Sequence, residues 1–424
     1  MEENIKLLEK HNLWGNSSLD YGYNWDYYTN NITDCCGNRL IKVLVGQRRS
    51  GKSYILRQIA RSLVKEKGVD VKNTLFISRE FIDFDFIKTY VELNDIIKLY
   101  LQELKPVGKV YIFIDEIQSI DAWERVVNSY SQDFTAEYEL FISGSNSKML
   151  SGELATLLSG RYLTFEIFPF SYNEFLDVKD LTSNKDSYLE YMKSSGLPEL
   201  FSIDKEQLKR NYVSAIKDTV LLRDIIQRYN IRDPKMLEDI FIFLINNISN
   251  LISINSIVKY FKGLGRKSSY DGVSNYIGFI EDTYMIHRCN RYDIKGKDII
   301  SGNAKYYSND LAYKNYLFMG YGYGVGYMLE NLVYLELRRA GYQVYVGNIK
   351  DKEIDFVALK GDDIKYLQVA YMLVEESTIE REYSSLEAID DNYDKIVITL
   401  DDLNYPPRKG IKHIQAWNLP QYLK

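Results

Sequence analysis

Eight consecutive residues, Gly46-Gln-Arg-Arg-Ser-Gly51-Lys52-Ser53, constrain what this chain can fold into more than any other stretch. An apolar run, Leu40–Val45, precedes them, and an amphipathic helical pattern follows to about Lys65. The order strand, glycine loop, helix places backbone N–H groups where they can curl around phosphate oxygens. The N-terminus of the helix adds favourable partial charge for an anion. Lys52 is the residue type that neutralises β- and γ-phosphates, and the Ser53 hydroxyl the type that takes one position on Mg²⁺. The whole loop (Gly46, Gln47, Arg48, Arg49, Ser50, Gly51, Lys52 and Ser53) is therefore expected to hold a nucleotide with Mg²⁺.

A second element completes such a site. Tyr111-Ile-Phe-Ile-Asp115-Glu116 is an apolar strand ending in two carboxylates. Behind a phosphate loop, the first carboxylate, Asp115, is expected to hold Mg²⁺ through water, and the second, Glu116, to orient or activate the attacking water. Glu116 thus argues for hydrolysis over mere binding. Further on, the run Leu140–Ser143 leads into Gly144-Ser145-Asn146. Ser145 and Asn146 either sense the γ-phosphate or form only a polar turn. Arg161 either stabilises transition-state charge, in cis or from a neighbouring subunit, or is a plain surface arginine. No Asn-Lys-x-Asp motif of the guanine-reading kind occurs, which favours ATP over GTP.

Length and composition set the frame. At roughly 100–200 residues per domain, 424 residues imply several domains. A hydrophobic content of 46% is that of a globular protein, and a net charge of −6 argues against binding nucleic acid through bulk charge. Three cysteines (Cys35, Cys36, Cys289) and three histidines lack zinc-ligand spacing and suit a reducing cytoplasm. The charged N-terminus carries no apolar signal region, and no apolar run nears the ~20 residues that span a bilayer. A cytoplasmic protein with no membrane partner is expected.

Short, nearly all-apolar runs alternate with helical stretches from 40 to 165, as in a parallel sheet buried on both faces. Five segments are expected: an N-terminal extension (1–38), the phosphate-loop core (39–167), a helical lid (168–230), a segment of helices and a polar hairpin (231–318), and a second α/β domain (319–424). The glycine-rich Gly320-Tyr-Gly-Tyr-Gly-Val-Gly326 reads as a linker.

These motifs together resemble a family of archaeal and bacterial AAA+ (STAND-like) ATPases, whose phosphate loop reads Gly-x-Arg-Arg-x-Gly-Lys-Ser/Thr. The resemblance runs through Ile114-Asp-Glu-Ile-Gln118, Ile142-Ser-Gly-Ser-Asn-Ser-Lys148, Ser159-Gly-Arg-Tyr162 and Phe168-Pro-Phe-Ser-Tyr-Asn-Glu-Phe175. It continues in Gly196-Leu-Pro-Glu199, Asp224-Ile-Ile-Gln-Arg-Tyr229, Glu330-Asn-Leu-Val-Tyr334, Glu353-Ile-Asp-Phe356 and Gln368-Val-Ala-Tyr371. It implies an α/β fold in four parts: a P-loop AAA+ core, a helical lid, a winged helix and a C-terminal domain like the restriction-endonuclease (PD-(D/E)xK) fold.

The implied winged helix would span Ser253–Phe261, Ser268–Ile280 and a hairpin across Met285–Tyr307. Lys259, Lys262, Arg266 and Lys267 would lie near its turn, either as DNA phosphate contacts or as a solvated surface. In the implied nuclease-like domain, Glu330 and Asp355 match two metal-binding carboxylates. Gln368 and Ala370 stand where a third carboxylate and a lysine are needed, so the site is expected to be degenerate. Lys314 stands where the family has arginine, a departure that removes bidentate recognition. The favoured reading is a Mg²⁺-dependent ATPase acting as a switch on a nucleic-acid or protein partner, possible as a homo-oligomer if Arg161 acts in trans. An ATP-gated DNA nuclease and a regulatory interaction protein with structural ATP are the alternatives.

Overall fold

The structure is a computed structural model describing residues 2–15, 19–145, 156, 158, 160–318 and 324–424. It divides into two compact units, Met1–Phe168 and Pro169–Lys424.

The first unit is built on five strands: β1 (Ile41–Val45), β2 (Thr74–Ser78), β3 (Val110–Asp115), β4 (Tyr138–Gly144) and β5 (Tyr162–Glu166). Their order is β2-β3-β4-β1-β5, and every neighbouring pair is parallel. Each residue of β1 and β2 is buried, as expected of strands covered on both faces. Phe113 on β3 stacks on Phe141 of β4 with ring centroids 4.6 Å apart. The helices Lys52–Lys65, Tyr90–Leu104 and Glu124–Ser131 join the strands. Tyr90–Leu104 begins at a capping box in which Thr89 and Glu92 satisfy each other's backbone amides. One charged residue breaks the apolar rule: Lys42, wholly buried in β1, pairs with the equally buried Glu139 of β4.

Residues 2–15 and 19–34, expected as part of an extension, are built into this unit. Asn12 treats the edge of β2 as a partner strand would. Its Nδ2 donates to the Phe76 carbonyl at 3.0 Å, and its Oδ1 accepts from the Phe76 amide at 2.5 Å. The Trp14 indole adds a bond to the Thr74 carbonyl at 3.1 Å. An edge strand with free N–H and C=O groups invites further pairing, and these side chains close it. Gln58, in the helix after the phosphate loop, ties down the next stretch. It accepts from Trp25 N at 2.9 Å and donates to the carbonyls of Tyr21 and Tyr23, both at 2.6 Å.

The second unit opens with helices Tyr172–Lys179, Lys185–Ser194, Glu206–Asp218 and Pro234–Asn246. Two further helices, Ile254–Gly263 and Tyr270–Glu281, each start at a serine whose side chain accepts from the third residue on. Leu237, Phe241, Ile257, Ile277 and Tyr313 form the core among them. Eight strands follow: β6 (Leu251–Ile252), β7 (Ile286–Asp293), β8 (Asp298–Ser308), β9 (Gln343–Ile349), β10 (Lys352–Lys360), β11 (Asp363–Val369), β12 (Asp394–Thr399) and β13 (Lys412–Gln415). They make one sheet in the order β13-β12-β11-β10-β9-β7-β8-β6. The hairpin β7–β8 joins β9 in parallel through three residue pairs, Arg291–Asp293 against Val346–Asn348. Strands from both sides of position 318 thus share a ladder. Of the expected glycine linker, residues 319–323 lie outside the described residues.

Glu281 offers a stability test in this unit. Its Oε1 is sealed from solvent with no hydrogen-bond partner among the described residues. Burial pushes its carboxyl up to about 7 from 4.5, against the pull of Arg288. A carboxyl raised by folding favours the protonated form. Its contribution is therefore complete below pH 4.5 and lost as pH rises through about 7. Glu281→Gln is expected to be more stable than wild type at pH 8, by up to about 3 kcal/mol, and equal to it at pH 4. Denaturant melts at the two pH values check this, and equal differences at both would refute it.

Candidate nucleotide site

The sheet order decides the site. β4 lies between β1 and β3, so the carboxyl ends of these three strands are adjacent. The loop after β1, Asp115–Glu116 after β3 and Ser143–Ser145 at the end of β4 come together there. In open parallel sheets this end of the strands is where ligands bind.

The loop needs its glycines. Gly46 has φ +146°, and a Cβ there would lie 2.2 Å from the Ile167 carbonyl oxygen. Gly51 has φ +99°, and its Cβ would lie 2.5 Å from the Trp25 ring. Lys52, buried at the start of the helix Lys52–Lys65, donates to the carbonyls of Gly46 at 3.0 Å and Gln47 at 2.8 Å. Burial pulls its ammonium below the ordinary lysine range, while Glu116 and Asp115 hold it up. The Ser50 hydroxyl and both polar atoms of the Gln47 amide are buried with no protein partner among the described residues. Donors sealed inside a glycine cradle beside a lysine suit phosphate oxygens.

Asp115 is fully buried and held by three hydroxyls. Ser78 donates at 3.0 Å, and Ser143 and Ser53 also donate. Burial and the adjoining Glu116 raise its carboxyl, and these hydroxyls oppose the rise. Glu116 sits in the left-handed region, with φ 52°. Its amide donates to Ser143 Oγ at 3.1 Å, so one hydroxyl serves both carboxylate residues. Glu116 Oε2 accepts from Ser145 Oγ at 3.2 Å and from Gln118 Nε2.

Glu80, just beyond β2, is a third carboxylate here that sequence reasoning missed. Its carboxyl is raised by burial and by Glu116 and Asp115, and Arg48 lies 4.0 Å away. Only the position of Glu80 two residues beyond the end of a strand hinted at it. Ser78 and Ser143 were equally silent in sequence.

One expected residue stands apart. Arg161 precedes β5 at the opposite end of the sheet, where its carbonyl accepts from Ile41 N at 3.0 Å. The length of β1, about 16 Å, separates that point from Gly46. The fold therefore does not bring Arg161 to the phosphate loop of its own chain. Asn146 lies outside the described residues.

In the second unit, Glu330, Asp355 and Gln368 do come together. Glu330 is buried on the helix Val325–Arg339, Asp355 is on β10 and Gln368 on β11. Gln368 Oε1 accepts from Asp355 N at 2.7 Å, and its Nε2 donates to Glu382 at 2.9 Å. Ala370 packs into the apolar core. Near the helical segment, Arg266 pairs with Asp239 and, at 3.6 Å, with Asp233, which leaves Lys259, Lys262 and Lys267 exposed. Lys314 donates to the Asn246 carbonyl at 3.1 Å. Asp310 and Asn315 beside it pin backbone: Asp310 accepts from Gly196 N, and Asn315 donates to the carbonyls of Met192 and Lys193.

A family described as an AAA domain matches residues 38–176, and a domain of unknown function matches 185–320. The chain is 36% identical over 365 residues to an uncharacterized protein of Haemophilus influenzae, covering 85% of this chain and 88% of that one. It is 34% identical over 383 residues to uncharacterized protein MJ1544 of Methanocaldococcus jannaschii, covering 85% and 82%. A solved structure, the Walker-type ATPase PABY2304 of Pyrococcus abyssi, aligns at TM-score 0.41 and 18% identity, covering 62% of this chain and 91% of that one. No helix among the described residues is long and apolar enough to cross a membrane. The extent of these matches places the chain in one family with the Haemophilus and Methanocaldococcus proteins, and its residues 38–176 in an AAA domain of the P-loop type.

Proposed function

We infer that this protein is a Mg²⁺-dependent ATPase whose nucleotide cycle switches its hold on a nucleic-acid or protein partner. One observation carries the reading: Lys52, Asp115 and Glu116 converge at the carboxyl ends of neighbouring strands, where the Ser143 hydroxyl of β4 ties the two carboxylate residues together. A structural nucleotide has no need of the second carboxylate.

The amides of residues 46–53 and the Lys52 ammonium would hold the phosphates of ATP. Ser53 and Asp115 would hold Mg²⁺, which when bound draws charge from the phosphate oxygens. Asp115 is suited to this because its side-chain hydrogen bonds come from hydroxyls, which leave its charge for a metal. Glu116 would orient the attacking water and receive its proton. Ser145 and Gln118 keep its carboxylate from rotating away. Ser145 and Asn146 would report the γ-phosphate to the rest of the chain. Arg161, remote from its own loop, would serve only a neighbouring copy.

Phosphate release by the full chain tests this, with and without double-stranded DNA, in Mg²⁺ and in EDTA. Turnover is expected in Mg²⁺ alone. A severalfold rise with DNA would make nucleic acid the partner, through the exposed lysines near Leu264. An unchanged rate would make the partner a protein. No release under any condition would refute the reading.

A further inference from the structure

The nuclease resemblance implies a divalent ion between Glu330 and Asp355, and the residues present do not fit one. Lys305, on β8, reaches into that space. Its Nζ lies 2.9 Å from Glu330 Oε1, 2.9 Å from Glu353 Oε1 and 3.3 Å from Asp355 Oδ1. The lysine side chain is only 5% exposed. Tyr307 OH donates to the same Glu330 oxygen at 2.8 Å. The second Asp355 oxygen accepts from Val369 N at 2.8 Å. The Gln368 carbonyl oxygen is engaged by Asp355 N. Mg²⁺ bonds oxygen at about 2.1 Å. An ion bound to these carboxylates would thus have to enter the volume of the ammonium.

Access is not the obstacle. A cleft of about 460 Å³, lined by Glu353, Asp355, Gln368 and Glu382, opens beside the cluster. Yet among the described residues no three His, Cys, Asp or Glu side chains are arranged to hold a metal. Charge completes the case, since carboxylates out of water require a partner and Lys305 already supplies it.

We propose that Lys305 is the resident cation of this carboxylate cluster, so that the centre takes no divalent metal and instead fastens the β7–β8 hairpin to β10 and the helix Val325–Arg339. The lysine comes from a part of the chain read separately from the carboxylates, and it sits where the metal of a nuclease would.

Manganese titration of the nucleotide-free full chain, followed by electron paramagnetic resonance of the free ion, tests this. The wild type and Asp355→Asn are expected to bind equal numbers of ions, since any ion at Asp115 is common to both. Lys305→Met is expected to melt several degrees lower in EDTA, to bind one further ion, and to regain stability in Mn²⁺. Lys305→Met/Asp355→Asn should lose that ion. Loss of an ion on making Asp355→Asn from the wild type would overturn the proposal. A folded Lys305→Met that gains no ion would overturn it as well. Should Lys305→Met not fold, the comparison of wild type with Asp355→Asn still decides whether the native centre takes metal.

Discussion

Lys52→Ala is expected to lose ATP binding by at least about 100-fold while keeping its fold. A hydrogen bond to a charged partner contributes about 1.5–3 kcal/mol, and each 1.4 kcal/mol is tenfold in affinity. Lys52 would serve two phosphates, so the combined loss reaches or exceeds two decades. The effect on folding should be small by comparison. In the free protein the ammonium is buried, and among the described residues two backbone carbonyls accept from it. Burial pulls its pKa down, which means that the charge sits there at a cost. Removing it trades two hydrogen bonds against that cost. Calorimetric titration with ATP, beside thermal melts of both proteins, separates the two effects. Wild-type affinity in Lys52→Ala would move the nucleotide away from this loop.

Glu116→Gln is expected to behave in the opposite way: ATP bound, turnover lowered about 10²–10⁴-fold, the usual contribution of a positioned general base. Glutamine has the shape of glutamate and can still accept from Ser145 and Gln118 through its carbonyl oxygen. The left-handed backbone at this position is no harder for glutamine than for glutamate. What is lost is the capacity to take a proton. Rapid-quench single turnovers with an unchanged ATP affinity would show it. A variant keeping more than a tenth of wild-type turnover would leave the base to another group, with Glu80 a further carboxylate that Glu116 influences electrostatically.

The phosphate loop and the Asp115–Glu116 pair were legible because their chemistry is local. A glycine loop after a strand, or two acids at a strand's end, need only a few consecutive residues to be seen. Ser143, Ser78 and Glu80 were not legible as site residues. Their place depends on β4 inserting between β1 and β3, and strand order is set by long-range packing that local pattern does not encode. Asn12 was hidden for the same reason, since nothing about one polar residue announces which strand edge it closes. Lys305 is the sharpest case. Local spacing looked for a lysine two residues beyond Gln368 and found Ala370. The cation comes instead from β8, more than sixty positions earlier in the chain, across a boundary drawn between two expected segments. Arg161 shows the converse: its motif was visible, and parallel pairing carried it to the far end of the sheet.

The eight-stranded ladder of the second unit also bears on how this unit can move. Apart from the two pairs that hold the short rim strand β6, its narrowest seam is the three residue pairs between β7 and β9, and the Lys305 carboxylate cluster spans that seam like a rivet. A hinge at this point would have to separate buried opposite charges as well as backbone pairs. The sheet is therefore expected to tilt as a stiff plate from β8 to β13, with little flexure at the seam between β7 and β9.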